Sequence, residues 1–194
     1  MPVTLAKGST VSLSKEAGPV PLSSLTVGLG WDTAQTPGGH EFDLDASALV
    51  LDATGRVLAD EYFVFYGNPR SLDGAVAVGP DNRTGQGDGD DEQIVIELTA
   101  LNPAAQTVVI VVSIDKADER GQTFGQVSNA YVRVVNNTTT AELARFDLAS
   151  GASSDTAFVF AELYREGAEW KFRAVGDAHP SGFVGTLRNY GVNV

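Results

Sequence analysis

Apolar residues along the chain fall in short runs divided by Gly, Asn, Asp and Pro. Candidate strands run over 3–6, 11–14, 26–31, 42–51, 57–66, 75–78, 93–98, 107–115, 127–135, 140–147, 158–165 and 170–175. Many are rich in Val, Ile, Thr and aromatic residues, the types that suit a pleated, half-buried surface. No amphipathic helical pattern alternates with them, which disfavours a parallel α/β sheet. The spacing predicts an all-β, mainly antiparallel sandwich or barrel with short helical connections. Hairpins are expected at Asp52–Val57 around Gly55, at Asn136–Asn137, and at Gly167. Helix is expected only as a short turn or two near 115–125 and at the C-terminus, where Pro180 or Ser181 would start it and Gly191 stop it.

Length and composition narrow the picture. The 194 residues suit one domain over 1–194, and no linker or internal repeat divides them. The formal charge of −12 argues against nucleic acid and anionic lipid as partners. The absence of cysteine excludes disulfides, thiolate metal sites and cysteine nucleophiles. The two histidines, His40 and His179, are far apart, so any metal site would be built from oxygen. The N-terminus lacks the apolar core of a signal peptide, and the longest strongly apolar run, Val108–Val112, is far too short to span a bilayer. A cytoplasmic protein without direct membrane insertion is the expectation.

The candidate chemistry lies in "GPDNRTGQGDGDDEQIVIEL", residues 79–98, where Asp81, Asp88, Asp90, Asp91 and Glu92 crowd among Gly85, Gly87 and Gly89. The segment has the length of an EF-hand loop but not its pattern, since Arg83, Gly85 and Gln86 stand at positions that need other residues. Carboxylates about 4 Å apart repel by roughly 4 kcal/mol at an effective dielectric near 20. Such a loop either splays its side chains into water or gathers them on a cation. Strand geometry puts Asp43 and Asp45 on one face with Ser47, opposite Phe42, Leu44 and Ala46. Two aspartates on one strand face could complete a site begun by the loop, and Asp32 is a further candidate.

Several stretches together resemble the TerD-type tellurium-resistance and stress-response family. They are "LAKGSTVSLSKEA", "FDLDASALVLD", "DNRTGQGDGDDEQIVIEL", "FGQVSNAYVRVVN", "ARFDL", "ELYREGAEWKFRAVG" and "YGVNV". The resemblance covers essentially the whole chain. It implies a two-sheet β-sandwich that binds calcium in the bacterial cytoplasm. It further implies work alongside integral-membrane and cytoplasmic proteins of a resistance system. Its calcium ligands map onto Asp43, Asp45, Asp81, Asn82, Gly85, Gly87, Asp88, Asp90, Asp91 and Glu92, with the two glycines supplying main-chain oxygens or turn geometry. The number of carboxylates suits two adjacent ions.

Enzymatic readings find little footing. Nucleophile-elbow, phosphate-loop and dinucleotide motifs are missing. With no Cys and only Met1, the side chains offer no means of reducing tellurite. A hidden acid/base hydrolase and a calcium-stapled carbohydrate-binding sandwich remain as alternatives. The second would use Trp31, Trp170, Tyr62, Tyr66 or Tyr164 as stacking platforms, against the simpler reading of these rings as packing residues.

Overall fold

The computed structural model describes residues 2–32, 42–80, 89–148, 154–179 and 181–194. Two six-stranded sheets face each other, as the two-sheet sandwich reading requires. The first contains β1 (Val3–Leu5), β3 (Ser24–Asp32), β6 (Val76–Val78), β7 (Glu92–Glu97), β9 (Ser128–Asn136) and β10 (Glu142–Asp147), in the order β1-β10-β9-β3-β7-β6. The second contains β2 (Thr10–Ser12), β4 (Leu44–Leu51), β5 (Phe63–Val64), β8 (Thr107–Ile114), β11 (Ala157–Glu166) and β12 (Glu169–Ala178), in the order β2-β12-β11-β8-β4-β5. Pairing is antiparallel except where β1 runs parallel to β10.

Strand alternation explains the core. In β3, Leu25, Val27, Leu29 and Trp31 face inward, and in β4 Leu44, Ala46, Ala48 and Val50 do so. Val108, Ile110 and Val112 of β8 meet them from the same sheet. The run Val108–Val112 has no polar face because the outer side of this sheet is covered as well. There α3 (Gly182–Tyr190) brings Leu187 onto a second cluster with Leu49, Leu51, Phe63, Val109 and Val111. Full burial of a side chain of this size contributes about 1.5–3 kcal/mol. Gly191, at φ 94°, ends the helix where only glycine is relaxed, and its N–H donates to Arg188 O at 3.0 Å.

Three local expectations are corrected. The strand expected over 57–66 is broken. Val57 N–H donates to Tyr190 O at 2.8 Å, and Asp60 accepts from the backbone and side chain of Asn193 at 3.0 and 2.9 Å. The helix end thereby captures this segment, which turns through a short 3-10 turn over Asp60–Tyr62 before β5. The strand expected over 11–14 stops at Ser12, whose hydroxyl caps α1 (Leu13–Glu16) by accepting from Lys15 N–H. In the β9–β10 hairpin the left-handed residue is Thr140, at φ 57°, and not Asn136 or Asn137. Near 115–125 the expected turn or two of helix is present, as α2 (Ala117–Arg120) followed by a 3-10 turn at Phe124–Gln126.

Candidate metal centre

β3 ends, and β7 begins, at one end of the sandwich. Leu29 pairs with Glu92, and Asp32 pairs with Ser128 of β9. Just before β7, Asp91 N–H donates to Leu29 O at 2.8 Å, and Asp91 Oδ2 accepts from Trp31 N–H at 3.0 Å. Asp32 Oδ2 accepts from Asn129 Nδ2 at 2.6 Å, with Asn129 held in the left-handed region at φ 53°. Glu92 is buried on the face of β7 that carries Ile94 and Ile96 inward.

Asp90 takes the opposite face. Its carboxylate lies across the outside of the first sheet and is only 3% exposed. Arg133 of β9 grips it with two donors, Nε to Oδ1 at 2.7 Å and a terminal nitrogen to Oδ2 at 3.1 Å. The other terminal nitrogen of Arg133 donates to Glu142 at 3.0 Å. The Tyr131 hydroxyl lies 2.9 Å from Gly89 O and 3.2 Å from Asp90 Oδ1. Arg145 stacks over the Tyr131 ring at 3.7 Å. Two glycines of β3 make room. A Cβ on Gly28 would sit 2.7 Å from Asp90 Oδ1 and nearer still to Oδ2, and one on Gly30 would sit 2.5 Å from the Tyr131 hydroxyl.

The electrostatics follow from this crowding. Burial pushes the Asp91 carboxyl above the usual aspartate range, and the charges of Asp90 and Asp32 push the same way, against the Trp31 N–H. The hydrogen bond to Asp90, with help from Glu142, holds the Arg133 guanidinium above its usual range despite partial burial. Burial and the Asp90 charge likewise raise the Tyr131 phenol.

Asp45 belongs to β4 of the second sheet, and Asp43 immediately precedes that strand. Asp45 pairs with Ser113 of β8, while Phe42, Leu44 and Ala46 enter the core, so the expected division of faces holds. Asp45 and Ser47 open onto a groove of about 690 Å³ between α2 and α3. One Asp43 carboxylate oxygen is shielded from solvent, and the Asp43 carbonyl accepts from Asp115 N–H at 2.8 Å. Asp81, Asn82, Gly85, Gly87, Asp88 and His40 lie outside the described residues.

The structure thus brings Asp32, Asp90, Asp91 and Glu92 to one strand end and leaves Asp43 and Asp45 on the other sheet. Asp32, Asp91 and Glu92 are hard carboxylate donors, the type that suits calcium or magnesium rather than a softer metal. Asp90 is already ion-paired, each of its oxygens accepting one hydrogen bond from Arg133. Among the described residues, no three acidic or histidine side chains converge closely enough to hold an ion by themselves.

Sequence reasoning missed Arg133, Tyr131, Glu142, Gly28 and Gly30. A signal was present: "VGLGW" puts two glycines on one face of a strand, where close approach by other groups is the usual reason. The aromatic platforms are largely core. Trp31, Tyr62 and Trp170 are buried, and of the five rings only Tyr66 is widely exposed. Arg120 pairs with Asp115 at 3.4 Å in the β8–β9 connection.

Fold and site together define a two-sheet β-sandwich with an acidic strand end. The TerD domain family model matches residues 1–190, and the chain belongs to this family. It is 48% identical over 193 residues to tellurium resistance protein TerD of Serratia marcescens, covering 100% of this chain and 99% of that one. It is 44% identical over 194 residues to general stress protein 16U of Bacillus subtilis, with both chains fully covered. A crystal structure of a homologue of telluride resistance protein (TerD) from Streptomyces coelicolor A3(2) superposes with a TM-score of 0.68 at 28% identity, covering 89% of this chain and 99% of that one. Among the described residues no helix is long and apolar enough to cross a membrane.

Proposed function

We propose that the chain is a calcium-binding, non-catalytic module of a bacterial tellurium-resistance or stress-response system. It works in the cytoplasm as a calcium-dependent scaffold or sensor, alongside an integral-membrane partner. One observation carries the calcium reading: Asp32, Asp90 and Asp91 lie at the end of β3 and β7, where burial and the charges of Asp90 and Asp32 disfavour the charged Asp91. A bound cation would neutralise that repulsion and tie the two strands together. Asp91 and Asp32 would supply side-chain oxygens, with Glu92 behind them. Asp81, Asn82, Gly85, Gly87 and Asp88, with Asp43 and Asp45 from the second sheet, complete the proposed donor set for two ions. The family names of the relatives, tellurium resistance and general stress proteins, support the biological setting.

Calcium that binds only the folded state stabilises it by about 2.7 kcal/mol at one hundred times its dissociation constant. Thermal melting in saturating calcium and in excess chelator tests the reading. A higher midpoint in calcium is expected, and an unchanged midpoint would overturn it. Partner capture from membrane extracts, with calcium and with chelator, tests the scaffold role. Capture that ignores calcium would remove the dependence proposed for it.

A further inference from the structure

We propose that Arg133, with Tyr131 and the bare backbones of Gly28 and Gly30, is the positioning device of the acidic strand end. The inference rests on the calcium reading above and assigns a role to residues outside its donor set.

The geometry begins with three successive acids that must go to different places. Glu92 is buried on the inward face of β7, whereas Asp90 lies over the outward face of β3. Residues two apart on a regular strand share a face, so alternation breaks between them, at Asp91. That break needs fixing from outside, because a one-residue slip would exchange the faces. Arg133 fixes it by forking onto both oxygens of Asp90. A fork of this kind sets direction as well as distance. Tyr131 adds the hydroxyl contact to Gly89 O, one residue earlier, where the backbone turns through φ 105°. Glu142 holds the far side of the guanidinium, so Arg133 is itself braced. Gly28 and Gly30 leave the sheet surface flat enough for Asp90 and Tyr131 to lie on it.

Two consequences follow. The Asp90 carboxylate is held against the sheet by Arg133, whose positive charge offsets its own. Asp91, anchored by its own bonds to Leu29 and Trp31, is presented in one orientation.

The role has a sign that separates it from simple electrostatics. Replacing Arg133 by a neutral residue removes a positive charge and frees a negative one at Asp90. On charge alone, calcium should then bind more tightly. If Arg133 acts by positioning, calcium should bind more weakly.

The test uses the full chain and its Arg133→Met and Tyr131→Phe variants. Calcium is titrated calorimetrically, and terbium is followed by emission sensitised through Trp31, whose amide binds Asp91. Arg133→Met is expected to weaken calcium affinity at least tenfold and to shorten the terbium lifetime through added bound water. Tyr131→Phe keeps the ring under Arg145 and guards against a misfolded first variant; a loss of at least threefold is expected. Circular dichroism in excess chelator checks that each variant is folded. Arg133→Lys, which keeps the charge without the fork, should not restore the affinity. Unchanged or tighter binding in folded Arg133→Met or Tyr131→Phe, or full rescue by lysine, overturns the proposal while leaving the calcium reading standing. No binding by the unaltered chain overturns both.

Discussion

Gly28→Ala adds one methyl group to the outside of β3, yet the structure gives it a large expected cost. Gly28 is not in a left-handed conformation, so alanine can adopt its backbone without strain. The cost arises because the new Cβ would overlap the Asp90 carboxylate and expel it from Arg133. Breaking a fully buried ion pair costs about 3–5 kcal/mol. Asp90 is 3% exposed but Arg133 is 30% exposed, so about 2–4 kcal/mol is expected for this pair. Replacing glycine in a strand interior returns about 0.5–1 kcal/mol. The net loss is therefore about 1–3.5 kcal/mol. Urea denaturation in excess chelator measures it without any contribution from bound metal. The control is Gly28→Ala in an Asp90→Ala background, where the obstructed carboxylate is gone. There the substitution should be neutral or stabilising by about 0.5 kcal/mol. Equal costs in the two backgrounds would refute the claim that Gly28 exists to admit Asp90.

Asp73 accepts from the Ser71 hydroxyl at 2.6 Å, Ala75 N–H at 2.9 Å and Asn102 N–H at 2.8 Å, so Asp73→Ala should cost about 2 kcal/mol in urea denaturation. Burial opposes these bonds, but together they hold the Asp73 carboxyl below its usual value of 3.8. Its contribution should be complete above that pH and fade as pH falls through the lower folded value, which an acid titration of Asp73→Asn against the parent checks. Gly191→Ala should cost about 1–2 kcal/mol by the same assay, because φ is 94° there and a Cβ would meet Arg56 Nε at 2.8 Å. Leu187→Ala should cost about 2–5 kcal/mol, since Leu187 is the fully buried contact of α3 with the second sheet.

Much of the sandwich is legible from period-2 patterning, because most strands carry one buried and one polar face. The division of Phe42, Leu44 and Ala46 from Asp43, Asp45 and Ser47 follows from that rule alone. The rule fails where tertiary contacts override it. Val57 and Asp60 look like strand residues, but the helix end at Tyr190 and Asn193 takes their hydrogen-bonding groups. Leu13–Glu16 is too short for a helical period to show. At the acidic end, sequence identifies the carboxylates but not their assignments. Asp90 and Asp91 are adjacent and chemically identical. Only the partner strand, with Arg133 opposite Gly28, singles out Asp90 as the carboxylate that the guanidinium holds. Arg133 itself reads as an ordinary outward-facing residue in "YVRVV", since nothing within β9 announces what lies across the sheet.

The central claim is that this strand end holds calcium. Calorimetric titration of calcium into chelator-stripped protein tests it most directly, with Asp91→Asn and Asp32→Asn measured alongside. Saturable binding is expected, weakened at least tenfold in Asp91→Asn and measurably in Asp32→Asn. A flat titration of the parent chain, or saturable binding that both variants leave intact, would contradict it.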